Sequence, residues 1–380
     1  MECRRLLAHF KFTRASLYIS NIGPSSRAFS SISIQEENRS PCYDSKKYYP
    51  ARIGERISGR YHLVSKLGWG ANSTVWLAKD VNRWFWQSNK YVTLKITNSG
   101  KDGQRSAEEE VEISKRISQR SNNHEGRAYI RLVKDSFTIQ GPRGEHVCLV
   151  FEPLREPLWL LGKHLGCVDV PPAVLKAFLR LLLQGLDFLH SEYHVIHTDL
   201  KSDNFLVGFE DSTVLENYVR QQESDPAPKG LGMVQISDFS AAVFGDVATP
   251  HNHDLQPRQF CVPEVLLKAT WSYSADIWNL GTALWELLAD ATLFDGIDPT
   301  TNQYSRAAHL AQMIRLIGPP PLHVLEKSDE KMHFELFSSQ GEFIHPHLIP
   351  SEEFNLSSRT PFLHGKDKRL FLSFARRMLQ

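Results

Sequence analysis

From residue 61 the chain alternates between apolar and polar positions. Tyr61-His62-Leu63-Val64-Ser65-Lys66-Leu67 has the period of two of a half-buried strand. A glycine-bearing turn, Gly68-Trp69-Gly70-Ala71-Asn72-Ser73, links it to a second extended run through Val75 and Ala78. Tyr91-Val92-Thr93-Leu94-Lys95-Ile96 reads as a third strand. Val147-Cys148-Leu149-Val150-Phe151-Glu152 reads as a buried one, ended by Pro153. Between these last two, residues 107–117 repeat at helical spacing through Val111, Ser114 and Ile117. Beyond 153 the pattern changes. Residues 173–190 form a long amphipathic helix, apolar on more than half of its circumference. Residues 195–207 run apolar, polar, apolar, and 234–240 end a short strand. A further apolar helix opens at Asp276-Ile277-Trp278 and runs through Leu288. The order predicts an α+β fold in two lobes, a small β-rich lobe over 46–153 and a larger, mainly helical lobe over 154–380. The polar stretch 208–234 is expected to be an insertion between two strands.

Composition narrows the class. The 380 residues are 41% hydrophobic and 23% charged, with a formal net charge of +1. Two separate cores fit within that length, and a near-neutral balance makes no case for direct nucleic-acid binding. No apolar run approaches the roughly 20 residues of a membrane-spanning helix. The five cysteines are scattered without CxxC pairs, which points to free thiols rather than a zinc site or disulfide framework. Residues 1–45 stand apart. Arg4, Arg5, Lys11, Arg14 and Arg27 lie among Leu, Phe, Ile and Ser, and Glu2 is the one acid before Glu36. That composition fits a mitochondrial transit segment or a disordered tail, and either way lies outside the fold.

The candidate chemistry centres on His197-Thr198-Asp199-Leu200-Lys201-Ser202-Asp203-Asn204. An aspartate, a lysine two residues on and an asparagine five residues on make the H-x-D-x-K-x-x-x-N arrangement of a phosphotransfer loop. Asp199 can accept the proton of an attacking hydroxyl, Lys201 can offset phosphoryl charge, and Asn204 can offer oxygen to Mg2+. Asp238, after the strand at 234–236, is the expected second metal ligand. Earlier in the chain, Leu67, Gly68, Gly70, Ser73 and Val75 frame a turn whose backbone N–H groups could approach phosphates. Lys95 is the candidate phosphate-holding lysine, with Glu112 as its expected carboxylate partner and Glu109 as the second choice. Phe151 would back an adenine pocket, with the backbone of Glu152 and Leu154 binding its edge. Taken singly, each has a blander reading: a hairpin turn, an edge-strand lysine, a turn aspartate. Their order along the chain favours the chemical one.

These segments together resemble a eukaryotic protein kinase. YYPARIGERISGRYHLVSKLGWGANSTVWLAKD, HTDLKSDNFLVG, VLENYV, PRQFCVPEVLL and YSADIWNLGTALWELL resemble, more narrowly, the SR-protein-kinase-like serine/threonine kinases of fungi. The resemblance covers roughly 55–380 and implies a bilobal fold, ATP and Mg2+ as cofactors, and transfer of the γ-phosphoryl group to Ser/Thr hydroxyls. It implies Arg/Ser-rich protein substrates, a monomer, and a place in the cytoplasm or nucleus, or in the mitochondrion if the N-terminal segment is a transit peptide. Asp290, Asp295, Asp298, Glu326, Asp329, Glu330 and Glu335 are candidates for an acidic substrate groove or for plain solvated surface. Asp276 is expected to tie down the backbone of the catalytic loop.

The sequence also departs from the family pattern. Ser73 and Ser240 stand where glycines are usual, and Thr198 stands for the usual arginine, which implies activity without an activation-segment phosphate. The last helices of the second lobe, with the arginine partner of Glu264, are expected to be missing. The departures leave a pseudokinase scaffold as the alternative. A small-molecule phosphotransferase fits less well, because Pro263-Glu264 and Asp276-Ile277-Trp278 belong to a peptide platform.

Overall fold

The computed structural model describes residues 44–82, 90–120, 123–164, 170–209, 215, 232–255 and 257–380. The expectations for the N-terminal segment up to residue 43 and for most of the insertion lie outside the described residues. Two compact units share the chain. Of the described residues, one holds those from Asp44 to Glu156 together with those within Leu206–Ala242, and the other holds those within Pro157–Phe205 and Val243–Gln380. The crossing expected at 153/154 thus falls three residues later, and the strand ending before Asp238 belongs with the first unit.

The first unit is built on a six-stranded antiparallel sheet in the order β1-β2-β3-β4-β6-β5. Its members are β1 (Arg56–Ile57), β2 (Tyr61–Gly70), β3 (Ser73–Asp80) and β4 (Lys90–Thr97). Helix α1 (Lys101–Gln119) follows, then β5 (Asp135–Gly141) and β6 (Gly144–Phe151). The alternation in β2 buries Tyr61, Leu63 and Ser65. They face a core that includes Ile57, Trp76, Val92, Leu94, Ile96, Cys148 and Val150. β4, bonded on both sides, is buried almost throughout, whereas edge strand β5 carries its polar residues outward. Register shifts at Leu63/Ser65 and Lys66/Gly68 leave Leu67 out of the pairing and exposed. Along α1 the buried positions are Gly103, Ala107, Glu110, Ile113, Ser114 and Ile117, a stripe at helical spacing.

The second unit is mainly helical, as its sequence pattern predicts. α2 (Leu158–His164) precedes α3 (Pro172–Glu192), whose leucines at 175, 179, 182, 183, 186 and 189 are all buried. Short strands follow: β7 (Val195–Ile196) and β10 (Val243–Phe244) in this unit, and between them in the chain β8 (Phe205–Val207) and β9 (Val234–Ile236), which pair with each other and belong, but for Phe205, to the first unit. β10 pairs antiparallel with β7. Then come α4 (Pro263–Leu266), α5 (Ser274–Ala289), the hairpin β11 (Ile297–Asp298) and β12 (Gln303–Tyr304), and α6 (Arg306–Ile317). α7 (Leu322–Leu325), α8 (Glu330–Leu336) and α9 (Gly365–Met378) complete the unit. α9 packs on α5 at Gly281, where an added Cβ would lie 3.0 Å from the Cβ of Met378. Among the described residues no helix is long and apolar enough to cross a membrane.

Candidate active site

The loop between β7 and β8 is held from beneath by one carboxylate. Asp276, in the first turn of α5 and fully buried, accepts the backbone N–H of His197 and that of Thr198, each at 2.8 Å. His190 Nε2 lies 2.8 Å from its Oδ2. Thr198 adopts a left-handed backbone with φ 68°, an uncommon state for a β-branched residue. The bond from its N–H to Asp276 holds it there. The expected tethering role of Asp276 is therefore what the structure contains.

On this base Asp199, Lys201 and Asn204 converge. Lys201 Nζ donates to Asp199 Oδ2 at 2.9 Å, and Asn204 Nδ2 donates to the Asp199 carbonyl at 2.8 Å and to Oδ2 at 3.2 Å. Both donors engage one side of the carboxylate. The other oxygen, Oδ1, is buried and has no hydrogen-bond partner among the described residues. A buried carboxylate oxygen lacking a donor is costly to leave unsatisfied, and an incoming hydroxyl would satisfy it.

The first unit holds a charge cluster of its own. Lys95 on β4 faces the same side as its cross-strand partner Val75. Its Nζ bonds Glu110 Oε2 at 2.8 Å and Asp238 Oδ1 at 2.7 Å. Burial alone would lower the Lys95 pKa, but the charges of Asp238 and Glu110 outweigh it and hold the ammonium above its ordinary value. Phe239 N–H reaches Glu110 Oε1 at 3.4 Å, and Ser106 Oγ donates to the Ser240 carbonyl at 3.1 Å. α1 thus grips the segment that bears Asp238 at two points. Asp238 itself has φ 67°. Phe151 is buried among Ala107 and Leu149, with the Arg131 guanidinium 4.7 Å above its ring. The Glu152 carbonyl accepts Arg131 Nη2 at 3.1 Å.

One sequence expectation is corrected. The partner of Lys95 is Glu110, not Glu112. Glu109, the second choice, pairs instead with Arg105 on the exposed face of α1. The signal that would have found it is Ala107-x-x-Glu110-x-x-Ile113, an acid placed within the apolar stripe. Of the candidate groove acids, four serve local structure. Asp290 closes α5 in a left-handed conformation, and Asp329 caps α8 through the N–H of Met332. Asp298 holds the Thr300 turn, and Asp295 accepts Gln312 and the N–H of Ile297.

The donor set fits a hard cation. Asn204 commits its amide nitrogen to Asp199, which leaves its side-chain oxygen as the atom it can offer a metal; Asp238, in the other unit, carries a carboxylate of the same hard-donor class. A sheet with a glycine turn, a Lys–Glu–Asp cluster with its glutamate buried, and an Asp–Lys–Asn loop braced by a helix carboxylate are the features of a phosphotransferase of the protein-kinase type. The chain matches the protein kinase domain over residues 61–362, and it belongs to that family. It is 34% identical to a serine/threonine protein kinase of Aspergillus fumigatus over 92% of this chain and 87% of that one. It is 31% identical to the serine/threonine-protein kinase SRPK of Physarum polycephalum over 81% of this chain and 78% of that one. SRSF protein kinase 3 of Sus scrofa is 36% identical over 52% of this chain and 35% of its own length. A kinase domain of known crystal structure shares the fold, with a TM-score of 0.65 and 21% identity, covering 87% of this chain and 94% of that one. The protein is a protein serine/threonine kinase.

Proposed function

We propose that this kinase uses ATP with Mg2+ to phosphorylate Ser/Thr hydroxyls in Arg/Ser-rich proteins. The observation that carries the chemistry is the Asp199 carboxylate, engaged by Lys201 and Asn204 on one oxygen and unpartnered on its buried second oxygen. Asp199 orients the substrate hydroxyl and takes its proton. Lys201 offsets charge on the transferred phosphoryl group. Lys95, fixed by Glu110, holds the nucleotide phosphates. Asn204 and Asp238 would hold the magnesium, which when bound neutralises phosphate charge. The work of this chain is positioning and electrostatics rather than covalent chemistry. Leu67, Gly68, Gly70, Ser73 and Val75 are the nucleotide contacts in this reading, with Phe151 and the backbone of Glu152 and Leu154 at the adenine end.

The substrate class is supported by the names of the relatives, SRPK and SRSF protein kinase. The test is incorporation of labelled γ-phosphate into a peptide array with and without Mg2+, comparing the wild type with Asp199→Ala. Transfer to Arg/Ser-rich peptides by the wild type and a loss of at least a hundredfold in the variant are expected. Equal incorporation by both proteins would overturn the catalytic reading. Preference for peptides without arginine would overturn the substrate class.

A further inference from the structure

We infer that Tyr48, which lies outside the sheet, is a positioning residue of the nucleotide-phosphate site. Its single hydroxyl proton is shared between the Gly70 carbonyl, 3.1 Å away, and the Ala71 carbonyl, 2.5 Å away. The next carbonyl, that of Asn72, accepts the backbone N–H of Asn98 at 2.7 Å. Three successive carbonyls of the turn between β2 and β3 are therefore held by donors from elsewhere in the chain. The segment that carries Tyr48 is itself anchored. The Lys47 carbonyl accepts Ser99 N–H at 2.9 Å and Ser99 Oγ at 3.2 Å.

The consequence follows from peptide geometry. A trans peptide points its N–H opposite to its C=O, and the described residues contain no cis bond. The Gly70 carbonyl shares a peptide with the Ala71 N–H, and the Ala71 carbonyl shares one with the Asn72 N–H. Holding the two oxygens toward Tyr48 aims the two N–H groups the other way. Neither N–H has a hydrogen-bond partner among the described residues. Successive unpaired N–H groups on one side of a turn form an anion-binding concavity. Crowding does not hold this turn in place. A Cβ on Gly68 would meet nothing within 4 Å, and one on Gly70 only Ser73 Oγ at 3.9 Å. Hydrogen bonds hold it, and Tyr48 supplies one of them, shared between two carbonyls.

This assignment rests on the reading of the chain as an ATP-dependent kinase. Its test is the affinity of the full chain for ATP and for adenosine by calorimetry, in the wild type and in Tyr48→Phe, which keeps the ring and removes the donor. Because the hydroxyl acts on the phosphate-facing amides, ATP binding should weaken about fivefold, the effect of one neutral hydrogen bond, while adenosine binding is unchanged. Ser99→Ala, which removes one donor from the Lys47 carbonyl, should move ATP affinity in the same direction by a smaller factor. Equal ATP affinity in the wild type and both variants overturns the role of Tyr48 and leaves the kinase reading standing. Equal weakening for ATP and adenosine also overturns it, since a merely structural residue would act that way. A wild type that binds no ATP overturns the kinase reading and the clamp with it.

Discussion

Single residues decide two things in this molecule: which carboxylate neutralises Lys95 and which one braces the catalytic loop. Glu110 is 1% exposed, so its charge depends on Lys95 for compensation. Glu110→Gln is expected to lower kcat/KM for ATP at least tenfold, whereas Glu112→Gln should leave it within twofold, as steady-state kinetics on the two variants would show. Asp276 satisfies the backbone N–H groups of two neighbouring residues and contacts His190, all in the interior. Asp276→Ala leaves those groups without an acceptor and is expected to cost about 3–5 kcal/mol, read as a lower urea midpoint. The candidate residues Asp199, Lys201, Asn204, Lys95 and Asp238 were picked from spacing and from the strands beside them, and the structure places Lys201 and Asn204 on Asp199 and Lys95 on Asp238. Glu110 was not identified, because a row of glutamates in one helix differs only by the direction each faces.

At the scale of the element, α1 is the part that organises the first unit. It brings Glu110 to Lys95, Ser106 to the Ser240 carbonyl, and Gly103 against the Asn98 that holds the glycine turn. A Cβ on Gly103 would lie 2.3 Å from Asn98 Oδ1 and 2.8 Å from its carbonyl oxygen. Gly103→Ala gains about 1 kcal/mol of helix propensity and incurs an overpacking cost of about 1–3 kcal/mol. The net expectation is a lower melting temperature together with weaker ATP binding, since Asn98 must move. Wild-type values of both in the variant would show that the turn is not coupled to α1. The existence of α1 was read from its period. Ser114 and Ile117 of that period are buried together with Ala107, Glu110 and Ile113, whereas Glu112 was chosen for the basic, apolar stretch that follows it and not for the face it occupies.

The whole molecule should respond to acid through a buried histidine. His309 on α6 is fully buried beside Phe294 and Tyr304, and burial lowers its pKa to about 4 from 6.5, against a small opposing pull from Asp295. The folded state therefore resists a proton that the unfolded chain accepts. Stability is unaffected above the unfolded value. It falls by about 1.4 kcal/mol per pH unit between 6.5 and 4, and levels off below that. Urea unfolding across that range should show this slope in the wild type and a shallower one in His309→Leu. The segment after Asp238 is also held without a phosphate. His251 stacks on Trp271 at 4.7 Å, Trp271 Nε1 donates to the His253 carbonyl, and Asp254 pairs with Arg306 at 2.9 Å. Phosphatase treatment is expected to leave activity unchanged, and its loss would show that a phosphate is needed.

The sequence by itself determined the element types, the division into a sheet-rich and a helical part, and the order of the motifs along the chain. Those features follow from periodicity and turn chemistry within a single element, where backbone preference acts locally. The tertiary structure decided the partners. Glu110 and Glu112 are two residues apart, but at 3.6 residues per turn they point about 200° apart around the helix. Only the packing of α1 on its neighbours selects between them. Tyr48 carried no sequence signal of this role, because the role depends on a turn more than twenty residues away that the fold brings to its hydroxyl.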